Sequence, residues 1–278
     1  MLSYRHSFHA GNFADVLKHI CLIESLSYLT QKDKPFCYLD THSGCAAYNL
    51  RSSQALKTQE YLGGIAKLWQ QADLHEAVKK YLELVERFCD GKQLNSYPGS
   101  PWFAKQVMRE YDRLFLCELH LNEFELLRQN MRGDRRVKLR NEDGLQALMS
   151  LMPPKEKRGL VLIDPSYEVK TEYQAVIHAV KAAYKKFSTG SYAIWYPVVE
   201  RQRINQMEQS LKNSGIKNIQ LFELGIDGDL QSGMTSSGMI FINPPWTLMK
   251  TMQEVLPKLA DLLGGDGGFY RAETLVAE

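Results

Sequence analysis

Pro35-Phe36-Cys37-Tyr38-Leu39-Asp40-Thr41-His42-Ser43-Gly44 is a short apolar run that ends in an acid and opens into a loop of small residues. A buried strand with that ending is the usual first strand of a nucleotide-type α/β sheet. Upstream, Phe13, Val16, Leu17, Ile20, Ile23 and Leu26 recur at helical spacing, and Asn12 stands where an N-cap side chain accepts from a free first-turn N–H. This spacing predicts a helix over about 13–29, with Lys18 and His19 off its apolar stripe. Downstream, apolar runs predict strands at 114–118, 137–140, 160–163, 192–196, 219–222 and 239–242. Helical patterns separate several of them, at about 123–131, on the Tyr173/Val176/Ile177/Val180/Tyr184/Phe187 face with Thr171 and Gln174 as a capping box, and weakly at 204–211. Alternation of this kind means an α/β fold, a seven-stranded mainly parallel sheet covered on both faces. Residues 52–95 carry no strand signal. Leu62, Ile65, Leu68 and Trp69 form one helical stripe there, and Leu74, Val78, Tyr81, Val85 and Phe88 another, with Asp73 and Glu76 as a capping-box-like start. The expectation is a helical insertion subdomain over 52–95 within a domain made of 1–51 and 96–278, ending at the turn-rich Ser96-Tyr97-Pro98-Gly99-Ser100-Pro101.

Composition bounds the rest. The 278 residues are 44% hydrophobic and 24% charged, which suits one large globular domain carrying an insertion. No run approaches the roughly 18 apolar residues of a membrane span, and the opening residues lack an apolar signal core. Five scattered cysteines without a C-x-x-C pair argue against a disulfide framework and a zinc site, and fit a reducing cytoplasm. A net charge of +2 permits a nucleic-acid partner without demanding one.

Ligands of open α/β sheets bind outside the carboxyl ends of the strands. Those ends offer Asp40 through Gly44, then Glu118, then Asp143-Gly144, then Asp164-Pro165-Ser166-Tyr167. The first loop has Gly44 but Ala46 and Ala47 beyond it, so it lacks the G-x-G-x-x-G that cradles a pyrophosphate, and an NAD-dependent oxidoreductase is the weakest reading. An acid after the second strand suits a ribose diol, and Asp143 can accept from an adenine amino group with Gly144 leaving room for the ring. S-adenosylmethionine meets these demands. Strand-end acids also cap helices, so it is the ordered set that points to this ligand.

Asp164-Pro165-Ser166-Tyr167 is the sharpest signal. The lone pair of an adenine N6 amine is delocalised into the ring. A carboxylate and the carbonyl of the next proline can hold both amino hydrogens and turn that lone pair toward a methyl donor, while Tyr167 offers a stacking face. Asn243-Pro244-Pro245-Trp246 imitates the same signature, but it follows the seventh strand rather than the fourth, and strand counting favours Asp164.

Tyr4, Arg5, His6 and His9 precede the first helix and read either as a flap over the site or as a polar terminus. His6, His9, His19 and His42 have no i, i+4 pairing or cysteine partner, so no metal is expected. Arg128, Arg132, Arg135, Arg136, Lys138 and Arg140 form a basic stretch, and Lys155, Lys157, Arg158, Lys181, Lys185 and Lys186 add cations. Such clusters serve RNA phosphates or remain plain solvated faces.

These stretches together resemble the bacterial 23S rRNA adenine-N6-methyltransferases that modify the adenine at position 2030. The likeness runs through Tyr4-Arg5-His6, His9-Ala10-Gly11-Asn12, Asp15-Val16-Leu17-Lys18-His19, Leu39-Asp40-Thr41-His42, Tyr97 to Pro101, Glu118, Glu142-Asp143-Gly144, Asp164-Pro165 and Asn243 to Trp246. It implies a class I, Rossmann-like methyltransferase fold with a small helical insertion. It also implies S-adenosylmethionine as methyl donor, contacted by His19, His42, Ser100, Glu118, Asp143, Gly144 and Asp164. Asp164 is then also the proton acceptor, acting with Pro165 and Tyr167, and Tyr4 contacts the substrate RNA, with His6 and Lys18 in the same motif. The implied partner is 23S rRNA, naked or in an assembly intermediate, in the cytoplasm, with no obligate protein partner and no metal. Two departures stand out: Ser166 replaces the second proline of D-P-P-Y, and Ala46 replaces a second loop glycine. Adenine in DNA as the substrate, and a non-catalytic RNA-binding protein of the same fold, are the competing readings.

Overall fold

The computed structural model describes residues 4–89, 91–226 and 233–278. Its strands are β1 (Cys37–Asp40), β2 (Ala47–Asn49), β3 (Ser96–Pro98), β4 (Arg113–Cys117), β5 (Val137–Arg140), β6 (Gly159–Ile163), β7 (Ser191–Val198), β8 (Ile219–Gly225), β9 (Ser236–Ile242) and β10 (Phe269–Val276). The helices are α1 (Phe13–Thr30), α2 (Ser53–Thr58), α3 (Ile65–Leu68), α4 (Glu76–Phe88), α5 (Ser100–Val107), α6 (Leu121–Asn130), α7 (Gly144–Leu151), α8 (Glu172–Lys186), α9 (Arg201–Lys212) and α10 (Leu248–Leu259).

Eight strands form one sheet in the order β10-β8-β9-β7-β6-β1-β4-β5. From β7 to β5 the pairing is parallel, with Leu39 of β1 level with Phe115 of β4 and Val161 of β6. The seven expected strands are all present, and β10 joins them antiparallel to β8 as an eighth. Its sequence, Phe-Tyr-Arg-Ala-Glu-Thr-Leu-Val, puts the charges Arg271 and Glu273 on the face shared with Phe269, so it offers no continuous apolar run and the edge of β8 makes it a strand. β2 and β3 make a separate antiparallel pair at the root of the 52–95 segment, with Tyr48 opposite Tyr97, where the sequence reads as turn.

β9 lies antiparallel between β7 and β8, with Ile242 opposite Tyr192 at the start of β7 and Ser236 opposite Val198 at its end. Asn243 therefore sits at the end of the sheet away from Asp164. There it holds a left-handed turn (φ 49°), and its Nδ2 donates to the Ser188 and Gly190 carbonyls at 2.8 Å. This geometry excludes it from the strand-end site.

α1 begins as expected, with Asn12 accepting from the Asp15 N–H at 2.9 Å. It is not a half-exposed helix, however. It packs against the sheet and also against α4, α5 and α10, so Lys18 and His19 are only 4% and 1% exposed. Two capping expectations are corrected. α4 is capped by His75, whose side chain accepts from the Ala77 N–H, rather than by Asp73. Thr171 makes no side-chain cap on α8, because its backbone (φ −74°, ψ −14°) is already helical and does not turn the hydroxyl back. The five cysteines are free and buried. Among the described residues no helix is long and apolar enough to cross a membrane.

Candidate active site

Two cavities open at the carboxyl ends of β1, β4, β5 and β6. The first, about 300 Å³, is lined by all seven residues expected to contact a methyl donor: His19, His42, Ser100, Glu118, Asp143, Gly144 and Asp164. The second, about 660 Å³, is walled by Tyr167, Tyr173, Trp195 and Pro197, with Lys170 and Arg203 also lining it. Tyr4, His6, Lys18, Asp164 and Ser166 line both, so the cavities meet at Asp164. Volumes of this order suit small-molecule ligands.

Each strand end is built by backbone bonding. Glu118, after β4, accepts from the Gly44 N–H at 2.9 Å through Oε2 and from the His120 N–H at 2.7 Å through Oε1. It thus ties the first loop to the second, and each oxygen keeps a lone pair for a diol. Burial raises its pKa. Asp143 caps α7, both of its bonds landing on Oδ1. Gly144 has a reason the sequence does not show: a Cβ there would run into the Thr41 carbonyl. Its missing side chain lets two strand-end loops touch, a requirement independent of any ring.

Asp40 is fully buried, accepting from Tyr38 Oη at 2.8 Å and Ser100 Oγ at 2.6 Å, and burial pushes its pKa up to about 6. It organises the loop from beneath. His42 is pushed down to about 4 by burial and is neutral at pH 7. Ala46 holds φ 66°, the left-handed region that favours the family's glycine.

Asp164 is reached from below by Lys18. Lys18 Nζ lies 2.7 Å from Asp164 Oδ2 and 2.8 Å from Asp15 Oδ1, and His6 Nε2 lies 2.9 Å from the other Asp15 oxygen. Tyr4 Oη in turn bonds His6 Nδ1 at 2.9 Å. Burial raises the Asp164 pKa, and Lys18 is the main influence holding it down. Burial likewise opposes ionisation of Asp15, but the His6 and Lys18 charges hold it well below the usual carboxylate range. Among the described residues no hydrogen bond ends on Asp164 Oδ1 or on the Pro165 carbonyl, which leaves two acceptors at the junction. Tyr167 has φ 54°; its hydroxyl donates to the Trp195 carbonyl at 2.8 Å and its ring lies 4.3 Å from that of Tyr173.

Sequence reading missed Asp15, which joins His6 to Lys18; its i, i+3 spacing from Lys18 was the available signal. It also missed the Glu60 anchor of the N-terminal segment. Glu60 accepts from Asn12 Nδ2 at 2.9 Å and lies 2.8 Å from His9 Nδ1, and no local pattern announces those contacts. Half of the basic stretch is engaged within the protein. Arg136 holds Asp134 and the Met108 and Lys105 carbonyls, Arg140 holds Glu142, and Arg128 holds Glu125.

A parallel sheet that carries this series of acids at its strand ends, with the first-strand and fourth-strand loops side by side, defines a class I methyltransferase. Residues 33–276 match the family model described as ribosomal RNA large subunit methyltransferase D, RlmJ, and the chain belongs to that family. It is 47% identical over the whole of both chains to the ribosomal RNA large subunit methyltransferase J of Haemophilus influenzae. It is 51% identical to that of Escherichia coli K12 across 93% of each chain. A solved protein from Legionella pneumophila superposes with a TM-score of 0.90 at 40% identity, covering 96% of this chain and 98% of the other.

Proposed function

We propose that this enzyme methylates the N6 amino group of a single adenine in 23S rRNA, position 2030 by family resemblance, with S-adenosylmethionine as the donor. The observation that carries the reading is the pair of acceptors, Asp164 Oδ1 and the Pro165 carbonyl, at the junction of a ligand-sized cavity with an aromatic-walled one. The first cavity fits the donor. It offers the buried, unpartnered His19 Nε2 and the Glu118 and Asp143 oxygens left over from backbone capping. When bound there, the donor supplies an electrophilic methyl group on a sulfonium.

The second cavity takes the adenine, extruded from its strand. Asp164 Oδ1 and the Pro165 carbonyl accept the two amino hydrogens and aim the lone pair at the first cavity. Lys18 keeps Asp164 ionised against burial, so that it accepts rather than donates, and the proton lost by the amine passes to this carboxylate. Tyr4 and His6 cover the junction. Positioning supplies much of the rate in such a displacement. We also read 52–95 as a helical insertion between the 1–51 and 96–278 parts of the methyltransferase domain.

The test is methyl transfer to matched RNA and DNA oligonucleotides, with mass-spectrometric mapping of N6-methyladenine. RNA is preferred under this reading, and a preference for DNA reverses it. Asp164→Ala folds and binds RNA without turnover, whereas full activity in that variant removes the proposed role.

A further inference from the structure

Beneath the first cavity a line of three polar groups is sealed from water. Tyr81 on α4 and Tyr97 on β3 are fully buried, with their hydroxyl oxygens 2.9 Å apart. Tyr97 Oη lies 2.7 Å from Nδ1 of His19, a residue that lines the cavity, and the other ring nitrogen, Nε2, is buried with no partner among the described residues. Burial lowers the His19 pKa well below its usual value, so the imidazole is neutral and carries one proton.

The position of that proton follows from counting donors. Each hydroxyl has one hydrogen to give, and a buried hydrogen without an acceptor costs about 1–3 kcal/mol. Tyr81 has no other side-chain partner among the described residues, so its hydrogen goes to Tyr97. Tyr97 then has only His19 Nδ1 to receive its own hydrogen. The opposite arrangement, Nδ1–H donating to Tyr97, leaves the Tyr81 hydrogen without an acceptor, whereas a proton on Nε2 can be accepted by a ligand in the cavity that His19 lines. Nδ1 is therefore the unprotonated nitrogen of the ligand-competent ring, and the proton sits on Nε2.

We infer that Tyr97 is a positioning residue that fixes His19 as an Nε2–H donor, and that this donor recognises the carboxylate of the methionine half of the methyl donor. The opposite tautomer would present a lone pair, which suits the α-ammonium group instead. Tyr81 of α4 occupies the acceptor side of the Tyr97 hydroxyl and so supports that direction from the 52–95 segment without being required for it. This inference rests on the donor-site reading above, but its first readout needs no ligand.

Nitrogen-15 NMR of the full-length, ligand-free protein reports the tautomer directly. The expected result is a single His19 tautomer, protonated on Nε2; a proton on Nδ1 overturns the inference. In Tyr97→Phe the ring loses its fixed acceptor contact and the signals move toward a tautomer mixture. In Tyr81→Phe the tautomer persists, because Tyr97 still has only His19 to receive its hydrogen, and a switch there overturns the proposed direction. Calorimetry with S-adenosylmethionine and its decarboxylated analogue supplies the second readout. Tyr97→Phe weakens the carboxylate-bearing ligand by about tenfold, the scale of one hydrogen bond to a charged group. It leaves the decarboxylated analogue unaffected. Equal losses for both ligands mean a merely structural tyrosine and overturn the assignment. Failure of the wild-type protein to bind S-adenosylmethionine at all sinks the donor-site reading instead.

Discussion

Lys18→Met removes the cation held between two carboxylates while keeping an apolar stem of similar length. Its Nζ stands 2.8 Å from Asp15 and 2.7 Å from Asp164, with only 4% of the residue exposed. An opposite charge at that distance lowers a carboxylate pKa by about 1–3 pH units, so its loss raises Asp164 by the same interval above an already raised value. If methyl transfer runs through the Asp164 carboxylate, as proposed, the acid limb of the single-turnover rate moves up by about 1–3 pH units. Stability changes with the same origin. Breaking a buried pair from one side costs about 3–5 kcal/mol. Asp15 is held well below its ordinary value in the wild type, so its stabilisation is present above about pH 4 and is lost as pH falls through the depressed native value. In the variant both carboxylates shift upward, so its stability deficit relative to the wild type shrinks as pH falls. Tritiated methyl transfer to an RNA fragment across the pH range, with urea melts at neutral and mildly acidic pH, measures both effects. An unmoved acid limb, or a stability loss that is the same at both pH values, refutes the reasoning.

Further outcomes follow from other contacts. Ala46→Gly relieves a left-handed alanine at φ 66°, a strain of about 1–2 kcal/mol, against about 0.4–1 kcal/mol of extra unfolded-chain entropy; a modest rise in the urea midpoint is expected, and a fall contradicts it. Gly144→Ala drives a Cβ into the Thr41 carbonyl and destabilises by about 3 kcal/mol, read by thermal melting, with donor affinity falling as the two loops part. His9 has a raised pKa, chiefly through its hydrogen bond to Glu60, so its contribution is full below about pH 6.5 and is lost as pH rises through the native value. Glu60 is lowered, since His9 and Asn12 outweigh its burial, and its contribution is lost as pH falls below about 4.5. An NMR titration shows a His9 midpoint above the ordinary value that returns toward it in Glu60→Gln; an unchanged midpoint in that variant removes the pair.

Strand identity was legible because parallel strands are buried on both faces and read as continuous apolar runs, as Gly159–Ile163 does. β10 escaped notice because it is an edge strand, half exposed, with the charges Arg271 and Glu273 breaking one face. The site residues were legible where chain order alone places them, at Glu118, Asp143 and Asp164 after successive parallel strands. The strand-end position of Asn243 was misleading locally, and only the antiparallel run of β9 between β7 and β8 carries it to the far end of the sheet.

Sequence by itself determined the alternation of elements, the acids at the strand ends and the family, since these depend on local periodicity and on residue order. Tertiary structure alone decided that Lys18 and His19, off the apolar stripe of α1, are buried side chains. Helix periodicity distinguishes one face from another, but it does not say how many neighbours will close over the second face. Here α4, α5 and α10 close around the helix, and removal from water forces Lys18 onto Asp15 and Asp164 and His19 onto Tyr97.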